Sequence, residues 1–178
     1  VGEGEDEEAD ADEAVGGEEG PVEPGQVVRP HTFEVADALA GERVRYWPAG
    51  DLAAGPSSGS YPARGMLVVP ASTASVAGIA LGLSKDLLQR AASVTLKERR
   101  PLVVTVREAP LNRATLQQLV ALDEAGAIVL PASPAFYAGA THIQDLVDFV
   151  AGRVLDAAGV EHGLYRRWRG ELGGGRPA

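Results

Sequence analysis

Hydroxyl-bearing and charged side chains directly follow two apolar runs of this sequence. The segment PASTAS, residues 70–75, follows the run Met66 to Val69, and the pair Arg107-Glu108 follows the run Leu102 to Val106. Hydroxyls at a helix start, with its free N–H groups and dipole, favour an anion or a ring carbonyl, although a simple helix cap explains the same residues. A carboxylate beside a guanidinium suits proton transfer near a phosphate, and a buried structural ion pair is the alternative.

A basic series on a predicted helix supplies a second set of chemical groups. Arg90 and Lys97 are seven residues apart, so they share one helix face two turns apart and suit an anion clamp. Arg99 and Arg100 are interpreted instead as a solvated basic end that complements the helix dipole.

Aromatic and imidazole groups give weaker signals. Phe136 and Tyr137 follow a third apolar run, where core packing is the commoner explanation of such a pair. His31, His142 and His162 stand apart without metal-ligand spacing, so no metal site is predicted.

Alternating apolar runs and helical patterns explain how these groups are positioned. The order strand, helix, strand, helix, strand, helix predicts right-handed crossovers and a mostly parallel α/β sheet with helices on both faces, three layers in all. Such a sheet binds ligands at the carboxyl edge of its strands, where the polar segments fall. The predicted strands are Met66–Val69, Leu102–Val106 and Ala127–Leu130, and the first of them is expected to be covered on both faces. Ser72 or Thr73 is predicted to cap the first helix, and the later helices are predicted at Asp86–Arg99, Asn112–Ala125 and Asp145–Ala158.

Composition restricts the class of protein. Eleven of the 25 acidic side chains lie in residues 1–24, which hold no Lys or Arg, so the other 14 face 16 basic residues and the net charge of −9 does not describe the folded part. We expect residues 1–30 to be a disordered acidic segment, 31–168 to form one domain and 169–178 to be a flexible tail, with a short helix at His31–Ala40 and a brief strand at Val44–Trp47. The absence of cysteine and of long apolar runs predicts a cytoplasmic protein without a membrane partner. We also expect no nucleic-acid partner.

The combination of motifs is more specific than any one of them. In order, PASTAS, RAASVTLKERRPLVVTVREAPL, PASPAFY, DLVDFVAGRVLDAAG and YRRW together resemble the UbiX-type flavin prenyltransferases, over roughly Ser57 to Trp168. The resemblance implies a Rossmann-like, flavodoxin-like fold and a transferase that moves a dimethylallyl group from dimethylallyl monophosphate to reduced FMN without a metal. It also implies a product that serves UbiD-type decarboxylases, and a homo-oligomer, commonly a dodecamer, with sites at subunit junctions.

The resemblance also assigns roles to individual residues. It implies that Glu108 is a proton shuttle, that Lys97 acts with it, and that Trp168 covers the pocket. The flavin contacts would be Ser72, Thr73, Ala74, Ser75 and Arg107, and the contacts to the prenyl phosphate would be Ser58, Ser60, Arg90, Lys97, Tyr137 and Arg153, with Glu108 among them.

Two departures from the family pattern leave alternatives open. The family's Cys-Ser-x-Lys-Thr reads Ala71-Ser72-Thr73-Ala74-Ser75 here, so a lysine contact is lost. The family's first strand and its Gly-x-Ser-Gly-Ala turn, which holds the FMN phosphate, have no counterpart, and we expect truncation before Val1 rather than a degenerate relative. The alternatives are an FMN-dependent decarboxylase of the same fold acting on a cysteine-derived carboxylate, and a non-catalytic flavoprotein subunit.

Overall fold

The computed structural model describes residues 45–167, which contain three strands and four helices, with two helices between the first strand and the second. The strands are β1 (Met66–Ala71), β2 (Leu102–Val106) and β3 (Ile128–Pro131), and the helices are α1 (Thr73–Ala80), α2 (Leu87–Lys97), α3 (Arg113–Glu124) and α4 (Ile143–Ala157). Short 3-10 turns lie at Gly55–Ser57 and Phe136–Ala138. Side-chain caps explain three helix starts, since Ser72, Asp86 and Asn112 each accept a hydrogen bond from a first-turn N–H group.

The sheet is parallel and its strands lie in the order β1-β2-β3. Met66 is paired with Leu102, and Val103 is paired with Ile128. The shift in register between Val68 and Ala71 marks an irregularity near the end of β1. The predicted α/β fold with a mostly parallel sheet is therefore confirmed.

Most of the core lies on one face of the sheet. Leu102, Val104 and Val106 point to that face and pack with α1, α2 and α3. Val103 and Thr105, also buried, alternate to the opposite face of β2, the strand that α4 contacts. Helices thus cover both faces, which agrees with the three-layer prediction.

The faces of the sheet are less completely covered than the apolar runs predict. Leu67 and Val69 in β1 are 43% and 53% exposed, so the prediction that this strand is covered on both faces is wrong for the part of the chain that the structure describes. Phe136 and Tyr137 are also exposed, which contradicts the core-packing interpretation of that pair. A run of apolar letters cannot tell whether a neighbour in the same chain covers both faces.

Several predictions concern residues outside 45–167. The acidic segment 1–30, the helix at His31–Ala40, Trp168 and the tail 169–178 fall there. Of the predicted strand Val44–Trp47, residues 45–47 are described and form no strand. The structure divides into compact units between Tyr46 and Trp47, and every element named above belongs to the second unit. None of the four helices is long and apolar enough to cross a membrane.

Candidate functional site

The loop of residues 57–61 collects several of the predicted phosphate contacts. It follows the 3-10 turn Gly55–Ser57 and is held by α2, because the Arg90 Nε donates a hydrogen bond of 3.0 Å to the Ser57 carbonyl oxygen. The hydroxyl oxygens of Ser58 and Ser60 lie 3.0 Å apart and both side chains are exposed. Two paired hydroxyls beside a cation suit recognition of an anionic group.

Lys97 reaches the same loop from the last turn of α2. A Cβ atom added at Gly59 would first meet the Glu98 Oε1 and would lie 2.8 Å from the Lys97 Nζ, so the Lys97 ammonium and the Glu98 carboxylate both sit against the backbone between the two serines. Lys97 also forms an ion pair with Glu98. Its hydrogen bond and its charge lower the pKa of the Glu98 carboxyl, which keeps that group ionised. The structure therefore brings Ser58, Ser60, Arg90 and Lys97 together.

Arg100 is a residue of this loop that the sequence interpretation missed. Its Nη1 donates to the Tyr61 carbonyl oxygen at 3.0 Å and its Nη2 donates to the Gly59 carbonyl oxygen at 2.6 Å. The interpretation of Arg100 as part of a solvated basic end is therefore wrong, whereas Arg99 is exposed as expected. Two adjacent arginines carry no sequence signal that separates them, because the difference arises from how α2 ends.

The start of α1 presents the predicted flavin contacts. The Ser72 Oγ caps the helix by accepting a hydrogen bond of 3.0 Å from the Ser75 N–H. The hydroxyl oxygens of Ser72 and Ser75 lie 2.9 Å apart. Ser72, Thr73 and Ala74 are exposed. The segment is a helix cap and also an open N-terminal turn with first-turn N–H groups available for an anion or a ring carbonyl.

Arg107 and Glu108 follow the carboxyl end of β2 and are both exposed. No ion pair joins them within residues 45–167, so the buried-pair interpretation is wrong, and the Glu108 Oε1 accepts a hydrogen bond from the Ala109 N–H at 3.1 Å. Ala71 is paired with Val106, which places the PASTAS segment and Arg107 at one edge of the sheet. The Ala132 N–H donates to the Val106 carbonyl oxygen at 2.8 Å, so the chain leading to Tyr137 leaves β3 at this edge as well.

The two groups of residues lie at opposite ends of β2. The 57–61 loop is fixed by Arg100, next to Pro101, and Pro101 in turn accepts a hydrogen bond from the Met66 N–H at the amino ends of β1 and β2. Arg107 and Glu108 follow the other end of the strand. Five residues of strand span about 16 Å. Within one chain the structure therefore groups the serines with Arg90 and Lys97 and sets Glu108 apart from them.

Arg153 belongs to a third cluster, centred on the Asp156 carboxylate in the last turns of α4. The Arg153 Nη1 lies 3.2 Å from Asp156 Oδ2, the His162 Nε2 lies 3.1 Å from Oδ1, and the Arg167 Nη2 donates to Oδ1 at 2.6 Å. The Tyr165 hydroxyl donates to Oδ2. Hydrogen bonds from Tyr165 and Arg167 hold the pKa of Asp156 well below its usual range, and a hydrogen bond with Tyr165 raises the pKa of Arg153.

The Asp156 cluster holds residues 162–167 against α4. A Cβ atom at Gly152 would lie 2.6 Å from ring carbons of His162 and Tyr165, so only a glycine allows this close approach. His162, whose side chain is 4% exposed, is thus a partner of Asp156. In residues 45–167 no group of three acidic or histidine side chains has the arrangement of a metal site.

The chain is similar to known flavoproteins. The family described as Flavoprotein matches residues 49–155. The chain is similar to the flavin prenyltransferase UbiX of Streptomyces coelicolor, with 78% identity over 149 residues, which cover 84% of this chain and 67% of that protein. It is also similar to the flavin prenyltransferase UbiX of Deinococcus radiodurans, with 50% identity over 67% of this chain and 61% of that protein. The chain thus spans about two thirds of the length of these relatives.

Two solved structures share the fold. One is AnUbiX in complex with FMN and dimethylallyl pyrophosphate, with a TM-score of 0.68 and 40% identity over 73% of this chain and 76% of that one. The other is a dodecameric FMN-dependent UbiX-like decarboxylase from Escherichia coli O157:H7, with a TM-score of 0.66 and 44% identity over 68% of this chain and 66% of that one. The chain therefore belongs to the flavoprotein family and, within it, to the flavin prenyltransferases of the UbiX type.

Proposed function

We propose that this chain is a flavin prenyltransferase that transfers a dimethylallyl group from dimethylallyl monophosphate to reduced FMN. The observation that carries the proposal is the convergence of Ser58, Ser60, Arg90 and Lys97 on one loop, in a chain 78% identical to a flavin prenyltransferase. Prenylated FMN is the product, and a UbiD-type decarboxylase is its recipient. The protein acts in the cytoplasm, with residues 31–168 as its flavoprotein domain.

The chain's own residues stabilise the departing phosphate. When the allylic C–O bond breaks, its electron pair leaves with the phosphate, whose negative charge grows. Cationic and hydroxyl groups already in position stabilise that charge at little cost in reorganisation, so Lys97 and Arg90 with the two serines take this role and no metal is needed. Glu108 carries a proton to the departing phosphate, and Tyr137 and Arg153 complete the polar surroundings.

The described residues also fit part of a flavin site. Ser72, Thr73, Ala74 and Ser75 offer hydroxyls and first-turn N–H groups, and Arg107 offers an exposed cation at the adjacent strand end. These groups suit a ring carbonyl or a phosphate. Reduced FMN, when bound there, supplies the nucleophile that accepts the dimethylallyl group.

We further propose that the complete site forms between copies of this chain. The separation of Glu108 from Lys97 along β2 supports a second copy as the source of Glu108. Exposed apolar side chains on the same protein support association, among them Phe136 at 74%, Ile143 at 80% and Val147 at 53%. A dodecameric relative of 44% identity supports a homo-oligomer of this kind. Tyr137 and Arg153 then serve the site of a neighbouring copy, and Trp168 covers it.

Mixing two inactive variants tests both the reaction and the shared site. In the full-length protein, Lys97→Ala and Glu108→Gln are each expected to lower kcat by about 100-fold or more, because each removes a group that acts in the transition state. Co-expression of the two variants is expected to restore about a quarter of the wild-type activity, since random assembly pairs an intact Lys97 with an intact Glu108 in that share of sites. The measurement is prenylated FMN formed from reduced FMN and dimethylallyl monophosphate.

Each negative result has a distinct meaning. No recovery in the mixed assembly places Lys97 and Glu108 in the same copy and overturns the shared site. No prenylated FMN from the wild-type protein overturns the transferase. Oxidative decarboxylation of a cysteine-derived substrate would select the decarboxylase alternative, and absence of both activities with the oligomer intact would select a non-catalytic subunit.

A further inference from the structure

The end of α2 directs Arg100 toward the 57–61 loop. Glu98 is the C-cap residue of α2, and Arg99 follows it in a left-handed conformation with φ 55°. The Arg99 N–H donates to the Leu96 carbonyl oxygen and the Arg100 N–H donates to the Thr95 carbonyl oxygen, both at 3.0 Å. This is the pattern of a Schellman motif, in which glycine is the usual left-handed residue. The turn reverses the chain, and Pro101 follows it.

The Arg100 guanidinium joins two carbonyl groups that lie two residues apart. Its Nη1 contacts the Tyr61 oxygen and its Nη2 contacts the Gly59 oxygen, at 3.0 Å and 2.6 Å. A planar fork of donors suits this spacing, whereas a lysine ammonium is a single point charge on a flexible stem. The side chain is half-buried, so both hydrogen bonds are partly shielded from water.

The fixed carbonyls alternate with the residues that face solvent. Gly59 and Tyr61 are half-buried, and Ser58 and Ser60 are exposed with their hydroxyl oxygens 3.0 Å apart. The Tyr61 N–H also donates to the Ser58 carbonyl oxygen at 3.2 Å, which closes the turn around Gly59. Arg100 thus holds the inner side of the turn while the two hydroxyls stay on its outer side.

We propose that Arg100 is a positioning residue of the phosphate site, which it serves through the 57–61 loop without touching the substrate. By fixing the Gly59 and Tyr61 carbonyls it keeps the Ser58 and Ser60 hydroxyls beside the Lys97 ammonium. The proposal rests on the proposed function, in which these three groups bind the prenyl phosphate. Arg90 differs, because among residues 45–167 only its Nε donates a hydrogen bond outside its own backbone, to the Ser57 carbonyl oxygen, and its terminal nitrogens have no protein acceptor there.

The test compares Arg100→Lys with the neighbouring Arg99→Lys in the full-length protein. Both variants keep the positive charge at the end of α2, but only Arg100→Lys loses the fork. We expect Arg100→Lys to raise the KM for dimethylallyl monophosphate about tenfold with a smaller change in kcat, since small displacements of binding groups weaken binding strongly. Arg99→Lys is expected to leave both constants near the wild-type values.

Two further measurements separate positioning from a loss of folding. Amide hydrogen exchange of residues 57–61, without substrate, is expected to rise in Arg100→Lys and to stay unchanged in Arg99→Lys. In a variant with Ser58→Ala and Ser60→Ala, adding Arg100→Lys is expected to have little further effect on KM, because a residue that acts through the serines has no effect without them.

The proposal is overturned by any of four results. Two concern Arg100→Lys alone: an unchanged KM, or unchanged exchange in the loop. The other two are an equal rise of KM in both lysine variants and a full tenfold effect that persists without the serines. If the wild-type protein transfers no prenyl group, the proposed function fails and this role for Arg100 fails with it. An exchange difference between the two variants would then still show that Arg100 orders the loop.

Discussion

The 57–61 loop is held by Arg90 of α2 and by Arg100, which follows that helix, whereas the 162–167 segment is held by Asp156 of α4, with opposite chemistry. Arg90 and Arg100 donate to backbone carbonyls of the loop. The Asp156 carboxylate instead accepts hydrogen bonds from side chains of the segment. Arginine stays charged at every accessible pH, whereas a carboxylate is lost in acid. The arginine anchors of the loop therefore do not titrate, whereas the anchor of the segment is a group that strong acid can protonate.

Both regions also depend on a glycine at the point of closest approach. Gly59 lies against the ends of the paired Lys97 and Glu98 side chains, and Gly152 lies against the rings of His162 and Tyr165. The flexible end of a lysine can move aside, and two packed rings adapt less easily. The loop thus depends mainly on its arginine anchors, and the segment depends on one anion and one close contact.

Gly65→Ala is expected to have the largest effect, because it disturbs the attachment of the loop to the sheet. A Cβ atom at Gly65 would lie 2.7 Å from the Pro101 carbonyl oxygen, which accepts the Met66 N–H at 2.8 Å. Backbone cannot move aside as a side-chain end can, so we expect a loss of about 2 kcal/mol in the free energy of unfolding. Urea denaturation measures it. Gly50→Ala is the matched control, since no atom of residues 45–167 lies within 4 Å of its added Cβ, and equal losses in both would contradict the argument.

Asp156→Asn is expected to release the 162–167 segment and to leave the loop unchanged. An amide cannot replace the Asp156 carboxylate, whose two oxygens contact four side chains: Arg153, His162, Tyr165 and Arg167. We expect tryptic cleavage after Arg167 to become about tenfold faster, because charge-assisted hydrogen bonds protect that site. Asp148→Asn, which affects a hydrogen bond to Gln144 on the same helix, is the control. Slow cleavage in Asp156→Asn would show that apolar packing alone holds the segment.

Acid is expected to separate the two regions in the wild-type protein. The pKa of Asp156 is lowered in the folded state, so its contribution to stability is present above the ordinary carboxyl value and is lost as pH falls below about 4 toward the folded pKa. Arg153, His162, Tyr165 and Arg167 all face the carboxylate. The protection factors of residues 162–167 against hydrogen exchange should therefore fall at low pH before those of residues 57–61. Asp156→Asn should abolish this difference, and a simultaneous fall in both regions would refute it.

Individual elements explain how far the sequence determines the fold. Strand β2 has the predicted bounds Leu102–Val106, because a continuous apolar run between Pro101 and Arg107 leaves little choice. The starts of α1, α2 and α3 agree with their capping residues. Exposure of Leu67 and Val69 was not predictable, since the pattern does not state which neighbour covers each face. The fold class therefore followed from the sequence, whereas the coverage of its faces did not.

The site was predictable only in part. The seven-residue spacing of Arg90 and Lys97 indicated a shared helix face, and in the structure both side chains reach the 57–61 loop. The role of Arg100 depends on a left-handed arginine after the helix, where the sequence offers no glycine as a signal. The distance between Lys97 and Glu108 follows from strand direction, which motif order alone does not give. The roles of these side chains toward flavin and phosphate remain predictions.

Gly59→Ala is the smallest expected effect and the sharpest test of the loop. The added Cβ would meet the ends of the Lys97 and Glu98 side chains, which can move without disturbing backbone, so the free energy of unfolding should change by less than about 0.5 kcal/mol. Displacing the Lys97–Glu98 ion pair moves the ammonium and should raise the KM for dimethylallyl monophosphate about fivefold, through partial loss of one charge-assisted contact. In a Lys97→Ala background the same change should have no effect on KM. A large loss of stability would mean that the loop itself, and not the lysine above it, requires glycine at this position.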